Sequence, residues 1–272
     1  LVAADLDGAR REARIRLAAP LAASEVLDGS AGPLVTSPRI EWDMRNRSVV
    51  ASEEDRLGAL IVASRPLAEA DPDAVACAMV TGIRSLGLGA VPWSPAAVSL
   101  LRRVRWLRAN RGMTALPDWR EDALLESLEG WLGPFLAGIR RAADLTQLDM
   151  TAILRAALGP QAQTVDAAAP PQLGTPAGRA VPIDYEPAQP VVSVRPQWLY
   201  GLDDHPRAGG EPVGSELLSP ADRPIATTAD LPGFWRGMWA EIRKEMRGRY
   251  PRHEWPEQPW LAAATTRAKQ RH

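Results

Sequence analysis

Two stretches of this sequence combine residue types that can do binding chemistry. Residues 234–260, FWRGMWAEIRKEMRGRYPRHEWPEQPW, hold four of the chain's 10 Trp, one of its 3 Tyr and six cations: Arg236, Arg243, Lys244, Arg247, Arg249 and Arg252. A guanidinium pairs with phosphate oxygens and an indole face stacks on a base, so interleaved cations and aromatics suit a single-stranded nucleic acid. The same residues suit a helix that docks on another domain, or a strap that holds the chain's own tail. The second stretch is SLLRRVRWLRANR, residues 99–111, where Arg102, Arg103, Arg105, Arg108 and Arg111 occur with no acid among them. Phosphate contact, a solvated face and a domain interface all fit that pattern.

Within the first stretch, Glu241 and Glu245 lie three or four residues from several of the cations and neutralise part of their charge. From Arg247 onward the balance tips, because Arg247, Arg249 and Arg252 alternate with Tyr250, His253 and Trp255 on a chain stiffened by Pro251 and Pro256. The expected nucleic-acid contacts are therefore Arg102, Arg103, Arg105, Arg108, Lys244, Arg247, Arg249, Tyr250 and Arg252. Trp255, beside Pro256, favours the strap.

Other chemistry has little support. The lysines are Lys244 and Lys269, and neither follows a glycine loop, so the chain cannot build a Walker A cradle by itself and no ATP is expected to bind it. G-x-S-x-G is absent. Three His and one Cys, all distant in sequence, argue against a metal site. Asp184, Asp203, Asp204 and Asp222 could form a carboxylate pair only through the tertiary fold. No catalytic residue is expected. Cys77 reads as a small core residue, and its being single excludes an internal disulfide and points to a reducing, cytoplasmic setting. His205 reads as a loop residue.

The 272 residues are 46% hydrophobic and 24% charged with a net charge of -1, so any nucleic-acid contact must be a local patch. The apolar run LGALIVA, 57–63, is too short to span a bilayer, and no membrane partner is expected. The chain opens without Met and without a signal-peptide pattern, inside an apparent strand; a piece of a longer protein is the expectation.

These candidates need elements to hold them, and the patterning predicts an α+β fold. Val2, Ala4 and Leu6, then Ala13, Ile15 and Leu17, alternate around Asp7-Gly8 as a hairpin. Ile40, Trp42 and Met44 mark a third strand face, and RLGALIVAS, 56–64, a fourth and more buried strand. Residues 1–67 read as a small β-rich module. Asp71-Pro72 and Ser94-Pro95 start helices. Leu124, Leu125, Leu128, Trp131, Leu132 and Phe135 form one apolar stripe, and Thr146 with Asp149 resembles a capping box. Residues 71–159 are then a helical region of four or five short helices. Residues 160–190 read as a Pro/Ala-rich loop with a strand at 180–185, partnered by PVVSV, 190–194. In the final segment, 191–272, Asp230 caps a single helix whose buried face carries Leu231, Phe234, Trp235, Met238, Ile242 and Met246. Gly248 is expected as its left-handed C′ residue, with an extended Pro/Trp-rich tail after it.

LLSPADRPIATTADLPGFWRGMWAEIRKEMRGRYPRHEWPEQP, 217–259, resembles the C-terminal signature of HrpB-type bacterial ATP-dependent helicases of the DEAH/RHA class. GTPAGRAVPIDY, 174–185, RLGALIVASRPL, 56–67, and the opening twenty residues resemble the preceding stretches of that family in the same order. Two places depart from its pattern: EPVGSE, 211–216, before Leu217, and IATT, 225–228. The resemblance implies that 1–67 is an OB-like accessory domain over the RNA path. It also implies that ATP and Mg bind motor domains upstream, and that the chain is a non-catalytic accessory region whose partners are RNA or single-stranded DNA and those motor domains. A protein-protein docking module without nucleic-acid contact is the alternative.

Overall fold

The structure is a computed structural model that describes residues 2–7, 14–20, 22, 24–25 and 32–267. Gly8 and Ala13 of the expected first hairpin lie outside these, as does Lys269. The chain divides into two compact units, one of residues 1–90 and 128–147 and one of 91–127 and 148–272, so the helical stretch 71–159 is shared between them. Helices and strands both occur in each, and the fold is α+β.

The first unit holds two antiparallel sheets. Strands β1 (Val2–Asp7) and β2 (Arg14–Ala19) pair in one, and β3 (Leu34–Asp43), β4 (Ser48–Leu57) and β5 (Leu60–Pro66) form a meander in the other. The stretch 56–64 is not one buried strand. It is the end of β4, a turn at Gly58 (φ 58°), and β5, where Leu60, Ile61 and Val62 stay exposed. The cause is position in the sheet: helix α1 (Pro72–Leu86) packs on β3 and β4 and leaves the edge strand β5 uncovered. Close packing of α1 needs Gly82, because a Cβ there would lie 2.4 Å from the ring of Trp42.

Asp71 and Pro72 start α1 as expected, with the Asp71 carboxylate accepting from the Asp73 amide. Cys77 is exposed rather than in the core. The buried positions are Val75, Ala78, Met79, Val80, Gly82 and Ile83, and at about 100° per residue Cys77 stands roughly 200° round from Val75. The apolar stripe 124–135 is not one helix either. It breaks into α3 (Glu121–Glu126), α4 (Leu128–Trp131) and a 3-10 turn at Gly133–Phe135, with Phe135 exposed.

In the second unit, helix α2 (Pro95–Arg111) is capped by Ser94, whose hydroxyl accepts from Ala97 N–H, and ends at Gly112 in the left-handed conformation. Helix α5 (Met150–Leu158) is capped by Asp149 itself, which accepts from the amides of Thr151 and Ala152. Thr146 belongs to the preceding 3-10 turn and bonds back to Ala143, so the two make no capping box. Residues 160–190 are not a loop: α6 (Gln161–Ala168) starts directly after Pro160, whose φ of -60° suits a helix start, and buries Ala162 and Val165.

The five-stranded sheet of this unit has the order β12 (Pro224–Thr228), β11 (Gly214–Leu218), β8 (Val191–Val194), β7 (Ala180–Asp184), β6 (Gln172–Gly174). The expected pairing of β7 with β8 is present, Ile183 opposite Val192. The departure EPVGSE still yields β11, parallel to β8 and antiparallel to β12. A small hairpin of β9 (Arg207–Ala208) and β10 (Glu211–Pro212) precedes it. The last helices are α7 (Leu231–Arg236) and α8 (Trp239–Arg249).

Candidate nucleic-acid interface

The helix expected across 231–247 is two helices. Gly237 (φ -110°, ψ -95°) breaks the path, and the register of the buried face changes across the break. Phe234 and Trp235 are buried as expected, Ile242 is half-buried, and Met238 is 64% exposed. The place read for Met238 is taken by Trp239. Gly248 is no C′ residue either: α8 continues through it, and the chain leaves the helix at Tyr250 with φ -130°.

Asp230 caps α7 by accepting from the Gly233 amide. His205 adds to that cap, its Nδ1 accepting from the Leu231 N–H at 3.1 Å. Burial pushes the His205 imidazole pKa down, which keeps that nitrogen's lone pair free to accept. His205 thus ties its loop to the start of a helix.

Behind α7 and α8 lies a cluster of rings. Trp239 meets Trp235 at 5.1 Å, Tyr200 at 5.9 Å and Trp255 at 5.8 Å between centroids, and Phe234 meets Trp235 at 5.3 Å. Each polar edge finds a backbone carbonyl. The Trp239 indole donates to Pro256 at 2.8 Å, Trp235 to Leu202 at 3.1 Å and Trp255 to Tyr250 at 3.0 Å, while the Tyr200 hydroxyl donates to Glu254 at 2.9 Å. Burial pushes the Tyr200 phenol far up, so it remains a neutral donor. Arg243 adds bonds to the Trp255 carbonyl (2.8 Å) and Glu257 (2.9 Å). Trp239, Tyr200 and Trp255 therefore hold residues 250–257 against the helices, and the buried rings of Trp235, Trp239 and Trp255 have no face left for a base. Trp260 is half-buried and lies under the Arg236 guanidinium at 5.1 Å.

What the stretch leaves outward is charge. Lys244, Arg247 and Arg252 are exposed and make no ion pair among the described residues. Arg249 reaches Glu245 at 3.6 Å, with both side chains more than 60% exposed, a pair worth little in water. Tyr250 is half-buried beside His253. Arg236 pairs with Asp203.

The arginines of α2 behave differently. Arg103 is buried, donating to Asp166 at 2.6 Å and to the Ala169 carbonyl at 2.5 Å, so it is not on a surface that a phosphate could reach. Arg105 donates to the Trp119 carbonyl at 2.6 Å, and Arg108 to the carbonyls of Thr114 and Leu116. Arg102 pairs with Glu186 at 2.8 Å and Asp184 at 3.4 Å, and Arg111 pairs with Glu211. The acids missing from the helix come from other parts of the same unit. The run is a packing hub, and Arg102 and Arg111 are its accessible cations, Arg102 beside a groove of about 530 Å³ walled by Trp93, Val98, Ile183 and Tyr185.

Among the described residues no group of three or more His, Cys, Asp or Glu is placed to hold a metal, and no helix is long and apolar enough to cross a membrane. One set of cations escaped the sequence reading. Arg45, Arg47, Arg140 and Arg141 are all exposed in the first unit; the short runs RNR and IRR were the signal available.

Comparison with known proteins agrees with this architecture. The family model described as ATP-dependent helicase C-terminal (HrpB_C) matches residues 131–259. The chain is 36% identical over 266 residues to the ATP-dependent RNA helicase HrpB of Escherichia coli (strain K12), covering 95% of this chain and 32% of that protein. The crystal structure of the E. coli DExH-box NTPase HrpB superposes with a TM-score of 0.70 at 33% identity, over 98% of this chain and 34% of that one. A crystal structure of the Escherichia coli DEAH/RHA helicase HrpB gives 0.61 at 32% identity, over 82% and 29%. The chain thus spans about a third of the length of the relatives it matches. It corresponds to the C-terminal region of the HrpB-type ATP-dependent helicases.

Proposed function

We propose that this chain is a non-catalytic accessory region of a cytoplasmic ATP-dependent RNA helicase. It contacts RNA through the outer side of α8 and the tail that follows, and docks on motor domains of the same polypeptide, where ATP and Mg bind. In this reading residues 1–67 are the OB-like module. The observation that carries it is the division of labour around α8. Its inner face is locked by the ring cluster, while Lys244, Arg247 and Arg252 stand outward without carboxylate partners among the described residues. Of the contacts expected on α2, Arg102 alone remains a candidate, and a weak one. With the indoles packed away, binding is by phosphate contact and is indifferent to sequence.

The test is binding of single-stranded RNA and DNA oligomers by the chain across a salt series. Lys244→Glu/Arg247→Glu/Arg252→Glu lowers affinity and flattens the plot of log K against log salt by about 0.7 for each phosphate no longer neutralised. Unchanged affinity and slope would move the region to the docking reading. That second reading has its own support in the uncovered apolar strand β5, with Leu60 67% exposed.

A further inference from the structure

Among the described side chains of the first unit, four arginines are neutralised by carboxylates and four are not. Arg39 and Arg56 pair with Glu54, Arg65 with Glu53 and Asp55, and Arg84 with Glu129. Arg45, Arg47, Arg140 and Arg141 are exposed and make no ion pair among the described residues, although Arg45 lies within reach of the charge on Asp43. The backbone gathers these four. The β3–β4 turn carries Arg45 and Arg47, and segment 139–142 is hydrogen-bonded alongside it. Val49 N–H donates to Arg140 O at 2.7 Å, Ala142 N–H donates to Arg47 O at 3.0 Å, and Ser48 forms a β-bridge with Arg141.

Between them opens a cavity of about 610 Å³, lined by Asn46, Arg47 and Arg141 with the small residues Gly89, Ala90, Ala142 and Ala143 and with Leu86. The nearest acid of the turn is already engaged: Asp43 accepts from the Arg45 amide at 2.8 Å and the Asn46 side chain at 2.5 Å. Asp144 is half-buried on the turn after Arg141. Arg47 also holds φ at 49°, a left-handed conformation that Gly or Asn adopts at lower cost. An arginine kept there at a conformational penalty points to a role for its side chain.

We propose that the β3–β4 turn and segment 139–143 form a phosphate-binding site that takes the backbone of a single-stranded RNA. Guanidinium forks bind phosphate bidentately. Small walls let a polymer backbone approach, and with no aromatic ring lining the cavity the contact carries no base preference. The choice of RNA as the source of the phosphate rests on the function proposed above; the site shares no residue with α8.

The experiment uses the full 272-residue chain. Arg47→Asn/Arg141→Gln removes two charges, and Asn suits the turn. Arg65→Gln/Arg84→Gln removes the same charge from paired positions. Single-stranded RNA affinity is expected to fall roughly tenfold in the first variant, with the salt slope flatter by about 1.4 for two phosphates no longer neutralised, and to change little in the second. Equal falls in both variants, or no fall in the first, overturn the proposal. Loss confined to binding of polyglutamate overturns it in favour of an acidic peptide, and loss confined to inorganic phosphate in favour of a small-anion site. Arg141→Gln alone gives the same readout should the turn variant fold poorly. The α8 triple variant separates the two ideas: loss of RNA binding there with none at Arg47 and Arg141 leaves the proposed function standing and removes this site.

Discussion

Arg102 and Arg103 are adjacent in sequence and differ in almost every physical respect. Arg102 is 42% exposed and pairs with carboxylates that are themselves half in water. Arg103 has a side chain 4% exposed and satisfies both Asp166 and a backbone carbonyl. Replacing Arg103 by Met leaves the Ala169 carbonyl without its donor and should cost about 2–3 kcal/mol. Replacing Arg102 by Met should cost less than about 1 kcal/mol, as for an exposed ion pair. Urea unfolding of the two variants decides the matter; equal small losses would mean that Arg103 is solvated after all. No reading of an Arg-Arg pair could have told them apart, because the acids lie 63 and 82 residues further along the chain. Trp239 and Met238 form a similar pair. Trp239→Ala should cost roughly 3–5 kcal/mol as a core truncation, and Met238→Ala should stay within about 0.5 kcal/mol.

At the scale of elements, the two glycines of the last helical segment exchange the roles their spacing implies. Gly237 is the break, and a Cβ there would stand 3.2 Å from the Gly233 carbonyl oxygen. Gly248 is ordinary helix with open space around its missing Cβ. Gly248→Ala is therefore expected to stabilise the protein by about 0.5–1 kcal/mol, through helix propensity and a less flexible unfolded chain. Thermal unfolding that showed destabilisation instead would restore a left-handed terminus at this position. The starts of α1, α2 and α7 were readable because their caps are local: Asp71, Ser94 and Asp230 each accept from an amide two or three residues on. Helix α6 was not, because a Pro/Ala-rich stretch offers little polar contrast from which to read a face. Strand β5 was misjudged for a related reason: its apolar residues encode strand, but only its place at the sheet edge decides whether they are covered.

At the scale of the molecule, carboxylates held by arginines set the response to acid. Hydrogen bonds from Arg120 pull the Asp118 carboxyl down to about 2 from an ordinary 3.8. Arg155 and then Arg103 lower Asp166, and Arg84 lowers Glu129. A depressed folded pKa contributes stability that is present above the ordinary carboxyl pKa and lost as pH falls toward the folded one. The depressed imidazoles of His205 and His253 already remove stability as pH falls below their ordinary 6.5, so the urea midpoint should be lower at pH 5 than at pH 7. The carboxylates add a further fall between about pH 4 and pH 2, with Asp118→Asn showing a smaller fall there. ATP turnover by the highly purified chain should be absent, since no phosphate-cradling loop with a lysine exists in its sequence. The sequence by itself determined the mixture of helix and sheet, the helix starts at Asp71, Ser94, Asp149 and Asp230, the pairing of β7 with β8, the family, and the want of a Walker A loop. All of these rest on periodicity, local capping or contiguous motifs. Only the tertiary structure decided which cations remain free. Charge is neutralised by whatever the fold brings near: it supplied Asp166, Asp184, Glu186 and Glu211 to α2 and gave the Arg47 and Arg141 guanidiniums no ion pair among the described residues.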